Sequence, residues 1–83
     1  MEAYPNPTDG KFNIAYTVLE KTSVSVLIYN LEGTLVKTIA PNQEQYEGKY
    51  ILPTDISDLA NGTYIVQLSN GNKTKTEKII LSR

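Results

Sequence analysis

Three features of this 83-residue chain predict an all-β fold, an antiparallel β-sandwich of about seven short strands. Apolar and polar residues alternate with a period of two along most of the chain, as they do in half-buried strands. Turn residues, chiefly glycine, asparagine and proline, separate these runs roughly every eight to twelve residues. No segment shows the 3.6-residue period of an amphipathic helix, so we expect no helical layer.

A stiff entrance at residues 4–7 contains two prolines and leads through Gly10 into the first predicted strand, residues 11–18. Proline fixes φ and removes a backbone donor, so the entrance cannot be the interior of a helix or of a central strand. We therefore expect residues 1–3 to be linker or added residues. Residues 4–83 are then one domain, cut from a longer protein, whose entrance holds the preceding chain away from the sandwich.

A hairpin is predicted next. Residues 22–29 alternate and have high β-propensity, residues 30–33 suit a tight turn, and residues 34–39 form the partner strand. The polar segment at residues 41–45 begins with a proline and is interpreted as a loop.

A short strand at residues 48–52 is expected to end at Pro53, and residues 55–59 are expected to form a corner. Too few residues separate Pro53 from the next turn for a stable helix. The apolar side chains of Ile56 and Leu59 would then close one end of the sandwich, while aspartate and serine cap backbone donors.

The last hairpin turns at Asn70 and Gly71, residues that tolerate positive φ. A two-residue turn there would place Lys73 opposite Leu68, on a face that should be buried. We therefore prefer a three-residue loop, which places Thr74 opposite Leu68 instead.

This register directs Ile80 inward and turns Lys78 towards the face that carries Tyr64. The strands together predict an immunoglobulin-like sandwich that lacks the core cysteines and tryptophan of antibody domains. The predicted core comprises Phe12, Ile14, Val24, Val26, Ile28, Leu35, Ile39, Ile51, Leu59, Tyr64, Val66 and Leu68.

Reaction chemistry has little support. The chain has no histidine and no cysteine, which removes the commonest general base, nucleophile and transition-metal ligands. Asp55 and Asp58 form the one close aspartate pair, and corner capping explains them better than acid–base catalysis. We therefore predict no enzyme activity, no cofactor and no metal site. The net charge of −1 gives no reason to expect a nucleic-acid partner.

A set of segments, in this order and spacing, closely resembles the C-terminal sorting domain of type IX secretion substrates in Bacteroidetes. The resemblance extends from Tyr4 to Arg83. The segments that carry it are Tyr4-Pro5-Asn6-Pro7 with Gly10, the hairpin at residues 24–33, the corner at residues 55–59, Gly62-Thr63-Tyr64 and Lys78-Ile79-Ile80-Leu81.

The resemblance implies a non-catalytic export signal that follows a larger N-terminal cargo. Such a domain folds in the periplasm, where a shuttle protein and the outer-membrane translocon recognise it. A sortase-like peptidase then typically cuts upstream of the domain. The cargo is released from the cell or attached to its surface through lipopolysaccharide.

The segment at residues 73–83 is basic, with four Lys and Arg against one Glu, and the face that should be buried carries few apolar residues. An exposed terminal strand can accept a partner strand along its free edge. We predict that this segment is the surface recognised by the translocon: Lys73, Lys75, Lys78, Ile79, Ile80, Leu81, Ser82 and Arg83. We predict a purely structural role for Tyr4, Pro5, Asn6, Pro7, Gly10, Gly33, Asp55, Leu59, Gly62 and Tyr64.

Two alternatives stay open at this point. One is an immunoglobulin-like adhesion or carbohydrate-binding module, in which exposed tyrosines stack on sugars. The other is a structural spacer of a secreted enzyme. The tyrosines available for a sugar platform are Tyr4, Tyr16, Tyr29, Tyr46, Tyr50 and Tyr64.

Overall fold

Seven strands in two sheets build the domain, and the computed structural model describes all of residues 1–83. The smaller sheet has the order β1-β2-β5 and the larger one the order β4-β3-β6-β7, with antiparallel pairing throughout both. This confirms the predicted all-β sandwich. No helix long and apolar enough to cross a membrane is present. The strands are β1 (Glu2–Tyr4), β2 (Lys11–Val18), β3 (Thr22–Asn30), β4 (Leu35–Gln45), β5 (Gly48–Asp55), β6 (Gly62–Asn70) and β7 (Lys73–Leu81).

The core lies between the sheets and is filled by alternate residues of β2, β3 and β6, as the period of two predicts. Eight of the twelve predicted core residues are buried, and Ile39 and Leu59 pack against them partly buried. Ile56 is fully buried at the corner, as predicted. The buried eight are Phe12, Ile14, Val24, Val26, Ile28, Tyr64, Val66 and Leu68.

The prediction of burial is wrong for two of the twelve residues. Ile51 is 63% exposed because it lies opposite Ala15 on the outer face of the smaller sheet, where the pleat directs every second side chain of β5. Leu35 is 47% exposed because it is the first residue of an edge strand, next to the turn. Five further apolar residues complete the core: Ala3, Tyr16, Val18, Ile79 and Leu81.

Two prolines do not end their strands as predicted. β4 continues through Pro41 to Gln45, so the predicted loop at residues 41–45 is strand, and β5 continues through Pro53 to Asp55. Both are edge strands, where a residue without an N–H is tolerated on the solvent side. Pro41 also lies in a bulge, since two residues of β4 face the single residue Ser25 of β3.

The register of the last hairpin also differs from the preferred one. Asn70 pairs with Lys73 across a two-residue turn at residues 71–72, which places Lys75 opposite Leu68. Ile79 and Leu81 therefore point inward, whereas Ile80 is 39% exposed. Gly71 has a φ of 63°, so the turn uses the second and third residues of the Asn-Gly-Asn run rather than the first two.

β1 begins at Glu2, two residues before the predicted start of the domain at Tyr4. It pairs with β2, and Ala3 lies opposite Ile14 with 5% of its surface exposed. The chain then passes through residues 5–8 to the other sheet, where Thr8 forms a parallel bridge with Leu81. The N-terminal segment thus contacts both sheets.

Candidate recognition surface

β7 is an edge strand of the larger sheet and carries most of the predicted recognition residues. Successive side chains point to opposite faces. Ile79 and Leu81 are 0% and 1% exposed, so their side chains belong to the core. The other six predicted residues are exposed: Lys73, Lys75, Lys78, Ile80, Ser82 and Arg83.

The three lysines of β7 do not share a face. Lys73 and Lys75 are on the side of Ile79, whereas Lys78 is on the opposite side. Lys73 and Lys75 stay exposed because this end of the sandwich is open, and they border a cavity of about 400 Å³. The predicted direction of Lys78 towards the face of Tyr64 is wrong, because Lys78 lies opposite Ile65.

The entrance covers part of the outer edge of β7. The side chain of Asn6 donates to the carbonyl of Lys78 and accepts from the N–H of Ile80, each at 2.9 Å. The N–H of Thr8 donates to the carbonyl of Ile80 at 2.8 Å, and the N–H of Ser82 donates to the carbonyl of Thr8 at 2.9 Å. We call residues 6–8 the clasp. The entrance therefore packs along β7. The prediction that it holds the preceding residues away from the sandwich is wrong for residues 2–4, because these residues pair with β2.

The other half of the same edge is free. The backbone groups of Ile80 point outward, and the alternation of an antiparallel strand directs those of Thr74 and Thr76 to the same side. No strand lies beyond β7 in the sheet. The clasp therefore divides the edge of β7 into a covered segment at residues 78–82 and a free segment at residues 73–77.

Thr8, which the sequence did not single out, is buried and fixes the clasp through side-chain hydrogen bonds to the backbone of residues 10 and 11. It is 2% exposed, its hydroxyl donates to the carbonyl of Lys11 at 2.7 Å, and the same oxygen accepts from the N–H of Gly10 at 3.1 Å. Its position beside two prolines and an Asp-Gly pair signals a turn but does not show that it reaches β7.

The corner at residues 55–59 packs against the start of β2. Gly10 has a φ of 136°, and a Cβ there would lie 2.8 Å from the Cβ of Ser57. The carbonyl of Gly10 accepts from the N–H of Ile56 at 2.8 Å. This close approach explains why glycine occupies the position.

The two carboxylates of the corner bind separate partners: Asp55 caps a backbone N–H, and Asp58 forms an ion pair with Lys37. Asp55 accepts from the N–H of Ser57 at 2.9 Å, and hydrogen bonds from the side chain and backbone of Ser57 hold the pKa of Asp55 below its ordinary value. A hydrogen bond from Lys37, whose Nζ lies 2.7 Å from Oδ1, lowers the pKa of Asp58. The capping role predicted for Asp55 is confirmed.

The last residue is also tied to this end of the sandwich. The guanidinium of Arg83 donates to the carbonyl of Ser57 at 2.9 Å, and the N–H of Arg83 donates to the side chain of Asn61 at 3.1 Å. Tyr64 is 8% exposed, and its hydroxyl donates to the carbonyl of Ala60, four residues upstream. Such a tyrosine corner is a hallmark of immunoglobulin-like sandwiches.

The remaining residues that were predicted to be structural lie in turns or at strand ends. Tyr4 ends β1 opposite Asn13, and Gly33 has a φ of 85° in the turn before β4. Gly62 begins β6 opposite Leu81, the residue that the clasp bridges. Both the Tyr4–Pro5 and the Asn6–Pro7 peptide bonds are cis.

The tyrosines form no common exposed platform. Tyr16 is 7% exposed and stacks on the half-buried Tyr50, with ring centroids 5.4 Å apart. Tyr46 alone is widely exposed, at 67%, and the ammonium of Lys21 lies 5.0 Å from the centre of its ring.

The family model described as a secretion system C-terminal sorting domain matches residues 2–82. No curated protein gives a significant match. Several of the segments on which the resemblance depends lie at one end of the sandwich, where the clasp bonds to the end of β7, Gly10 bonds to Ile56 and Arg83 bonds to Ser57. Because the family match covers nearly the whole chain, this protein belongs to the family of C-terminal sorting domains of the type IX secretion system.

Proposed function

We propose that this domain is a non-catalytic signal that carries a larger N-terminal cargo through the outer-membrane translocon of the type IX system. Membership in the sorting-domain family supports this proposal. The folded domain is recognised in the periplasm by the translocon and a shuttle protein. A sortase-like peptidase then removes it upstream of the sandwich, and the cargo is released or attached to the cell surface.

The free segment of β7, residues 73–77, is the proposed contact with the export machinery. Its outward backbone groups at Thr74 and Thr76 can pair with a strand of the partner, which supplies affinity through main-chain hydrogen bonds. Lys73 and Lys75 on one face and Lys78 on the other favour a partner strand with acidic side chains on both faces. This free, basic edge beside the clasp is the observation that carries the proposal.

The predicted recognition residues divide into two groups under this proposal. The exposed lysines contact the partner, whereas Ile79 and Leu81 act by holding β7 in the sheet, because their side chains are buried. Ile80 and Ser82 bond to the clasp and Arg83 bonds to the corner, so these three residues lie outside the free segment.

A secretion assay tests the lysines. Residues 1–83 are fused to a periplasm-targeted fluorescent reporter in a Bacteroidetes host, and the triple variant Lys73→Gln, Lys75→Gln, Lys78→Gln is compared with the wild type. We expect loss of export with a nearly unchanged Tm, because exposed substitutions usually change stability by less than about 0.5 kcal/mol. The matched control, Lys11→Gln, Lys21→Gln, Lys49→Gln, removes the same charge elsewhere and should be exported. Normal export of the first triple variant contradicts the proposed surface.

A proline tests strand pairing directly. Thr76→Pro removes an N–H that points to the free edge, so the domain should stay folded while export falls. Glu77→Pro is the control. The N–H of Glu77 points to β6 rather than to the free edge, so its loss should destabilise the sheet. If folded Thr76→Pro is exported like the wild type, the partner does not pair with this edge.

The same reporter separates sorting from the remaining alternatives. A spacer leaves the folded reporter in the periplasm, and an adhesion module gives a saturable ligand in a glycan screen. Mass spectrometry of the exported reporter tests cleavage, because removal of the domain leaves a new C-terminus upstream of the sandwich.

A further inference from the structure

We infer that Asn70 is a site of spontaneous deamidation, promoted by the cavity that it lines and by the lysines beside it. The product is an aspartate or isoaspartate whose carboxylate lies next to Lys73 and Lys75. The chemistry at Asn70 depends on this chain alone. Its consequence for export rests on the proposed function, because the same two lysines belong to the proposed contact.

The chain contains two asparagines that precede a glycine, Asn61 and Asn70. Such pairs are prone to deamidation, because a glycine has no side chain to keep its backbone nitrogen from the asparagine side chain. The glycine nitrogen loses its proton and attacks Cγ, a succinimide ring forms, and the side-chain nitrogen leaves as ammonia. Water then opens the ring at either carbonyl, which gives aspartate or isoaspartate. Solvent supplies the water, so no other reactant is needed.

The folded domain restrains both reacting groups at Asn61. The side-chain oxygen of Asn61 accepts the N–H of Arg83 at 3.1 Å. Gly62 lies opposite Leu81 in β7. Because the backbone groups of Ile80 point outward, those of Leu81 point to β6 and hold the N–H of Gly62. The clasp covers this same segment of β7, so the restraint is firm.

Asn70 is held less tightly. It is the last residue of β6, and its side chain shares the inward face of Leu68. This face borders the cavity of about 400 Å³, whose lining includes Asn70 and Gly71. The side chains of Asn6 and Asn61 are hydrogen-bonded, whereas Asn70 forms no side-chain hydrogen bond. No buried side-chain nitrogen or oxygen lacks a partner, so water reaches the amide of Asn70.

One hydrogen bond opposes the reaction at Asn70. The N–H of Gly71 donates to the carbonyl of Ser23 at 3.1 Å, and this bond must break before the nitrogen can attack. The turn at residues 71–72 ends an edge hairpin next to the free segment, at the opposite end of β7 from the clasp. Hairpin ends at a sheet edge open locally at a lower free-energy cost than held strand segments. The restraint at Gly71 is therefore weaker than that at Gly62.

Lys73 and Lys75 favour both the reaction and its product. Lys73 lies directly opposite Asn70, both lysines line the cavity, and Glu20 is the one carboxylate in the lining. Positive charge stabilises the deprotonated nitrogen of Gly71 and the oxyanion that forms when it attacks. The new carboxylate at residue 70 then lies beside two ammonium groups. It competes with an acidic partner strand for these lysines, so deamidation weakens the proposed contact.

Peptide mapping by mass spectrometry tests the inference. The folded chain of residues 1–83 is incubated in mildly alkaline buffer, and deamidation at Asn70 and Asn61 is followed over time. We expect Asn70 to react at least about tenfold faster than Asn61 in the folded domain. In strong denaturant the two rates should be similar, because both asparagines precede a glycine. Equal rates in the folded domain, or no reaction at Asn70, overturn the inference.

A double variant tests the role of charge. Lys73→Gln, Lys75→Gln should slow deamidation of Asn70 severalfold and leave the rate at Asn61 unchanged. The matched control, Lys11→Gln, Lys49→Gln, removes the same charge from residues that do not line the cavity, and Asn70 should react as in the wild type. An unchanged rate at Asn70 in the first double variant contradicts promotion by the lysines.

The reporter assay measures the consequence for export separately. Asn70→Asp reproduces one product, whereas Asn70→Gln keeps a neutral amide that cannot form the same ring. Export should fall for Asn70→Asp and stay near the wild-type level for Asn70→Gln, with both variants shown to be folded by their Tm. Equal export of the two variants overturns the link between deamidation and recognition. A wild-type fusion that is not exported overturns the proposed function alone, since mass spectrometry still decides the reaction at Asn70.

Discussion

Asn6 and Ile80 lie 74 positions apart in the chain, and the side-chain oxygen of Asn6 accepts the backbone N–H of Ile80 at 2.9 Å. The amide nitrogen of the same side chain donates to the carbonyl of Lys78. One asparagine thus replaces a neighbouring strand at this point of the edge, since its amide offers both a donor and an acceptor.

The first prediction concerns this asparagine. Asn6→Ala should destabilise the domain by about 1 kcal/mol, or a fall in Tm of roughly 4–8 °C, because two hydrogen bonds at an exposed edge are lost. The control is Asn42→Ala, an exposed residue of β4 whose replacement should leave Tm nearly unchanged. Equal thermal midpoints for the two variants contradict a stabilising role of the clasp.

The second prediction compares two glycines with positive φ. Gly10→Ala should cost about 2–4 kcal/mol, because the strained backbone adds to a Cβ only 2.8 Å from the Cβ of Ser57. Gly33→Ala should cost only about 1 kcal/mol, since no atom lies within 4 Å of its added Cβ and the backbone cost alone remains. Chemical denaturation of both variants measures the difference in unfolding free energy. A larger loss for Gly33→Ala than for Gly10→Ala contradicts the close packing of Gly10 against the corner.

The third prediction tests the register of β7. Ile79→Ala should destabilise the domain by about 2–5 kcal/mol, because a fully buried side chain is replaced by a cavity. Ile80→Ala should cost about 1 kcal/mol or less, as its side chain is partly exposed. A larger loss at Ile80 would support the three-residue loop that the sequence favours.

The fourth prediction concerns pH. The pKa of Asp55 in the folded domain lies below its ordinary value of 3.8, so the unfolded chain takes up a proton first as the pH falls. The stabilisation from this carboxylate is therefore complete above about pH 5 and is lost as the pH falls through the lowered pKa. Thermal melts between pH 6 and 2 should show Asp55→Asn less stable than wild type at pH 6, with the gap narrowing in acid. A constant gap contradicts this linkage.

Local pattern was enough to predict most of the sandwich. Alternation in β2, β3 and β6 predicts both the strands and their buried faces, because these strands each bury one face in the core. The predicted strand ends at Pro41 and Pro53 were wrong because proline is tolerated in an edge strand, although it ends a central one. The sequence does not show which strands lie at edges.

The register and the clasp could not be predicted for a different reason. Lys75 was expected to avoid the face of Leu68, yet on this face of β7 only Ile79 and Leu81 are buried, and Lys75 borders a cavity instead. The contact between Asn6 and β7 joins the two ends of the chain, and no local pattern reports such a pairing. The lysines of the candidate site were found from charge alone, whereas their split between two faces requires the register.

The parallel course of the clasp and the end of β7 has a mechanical consequence. Asn6 bonds to residues 78 and 80, and Thr8 bonds to residues 80 and 82, so both segments run in the same direction. A force that pulls the N-terminus away from a firmly held β7 slides these segments past each other and loads all their hydrogen bonds together. We expect the domain to resist tension from a cargo better than tension applied across the sheet, which force spectroscopy with two attachment geometries can measure.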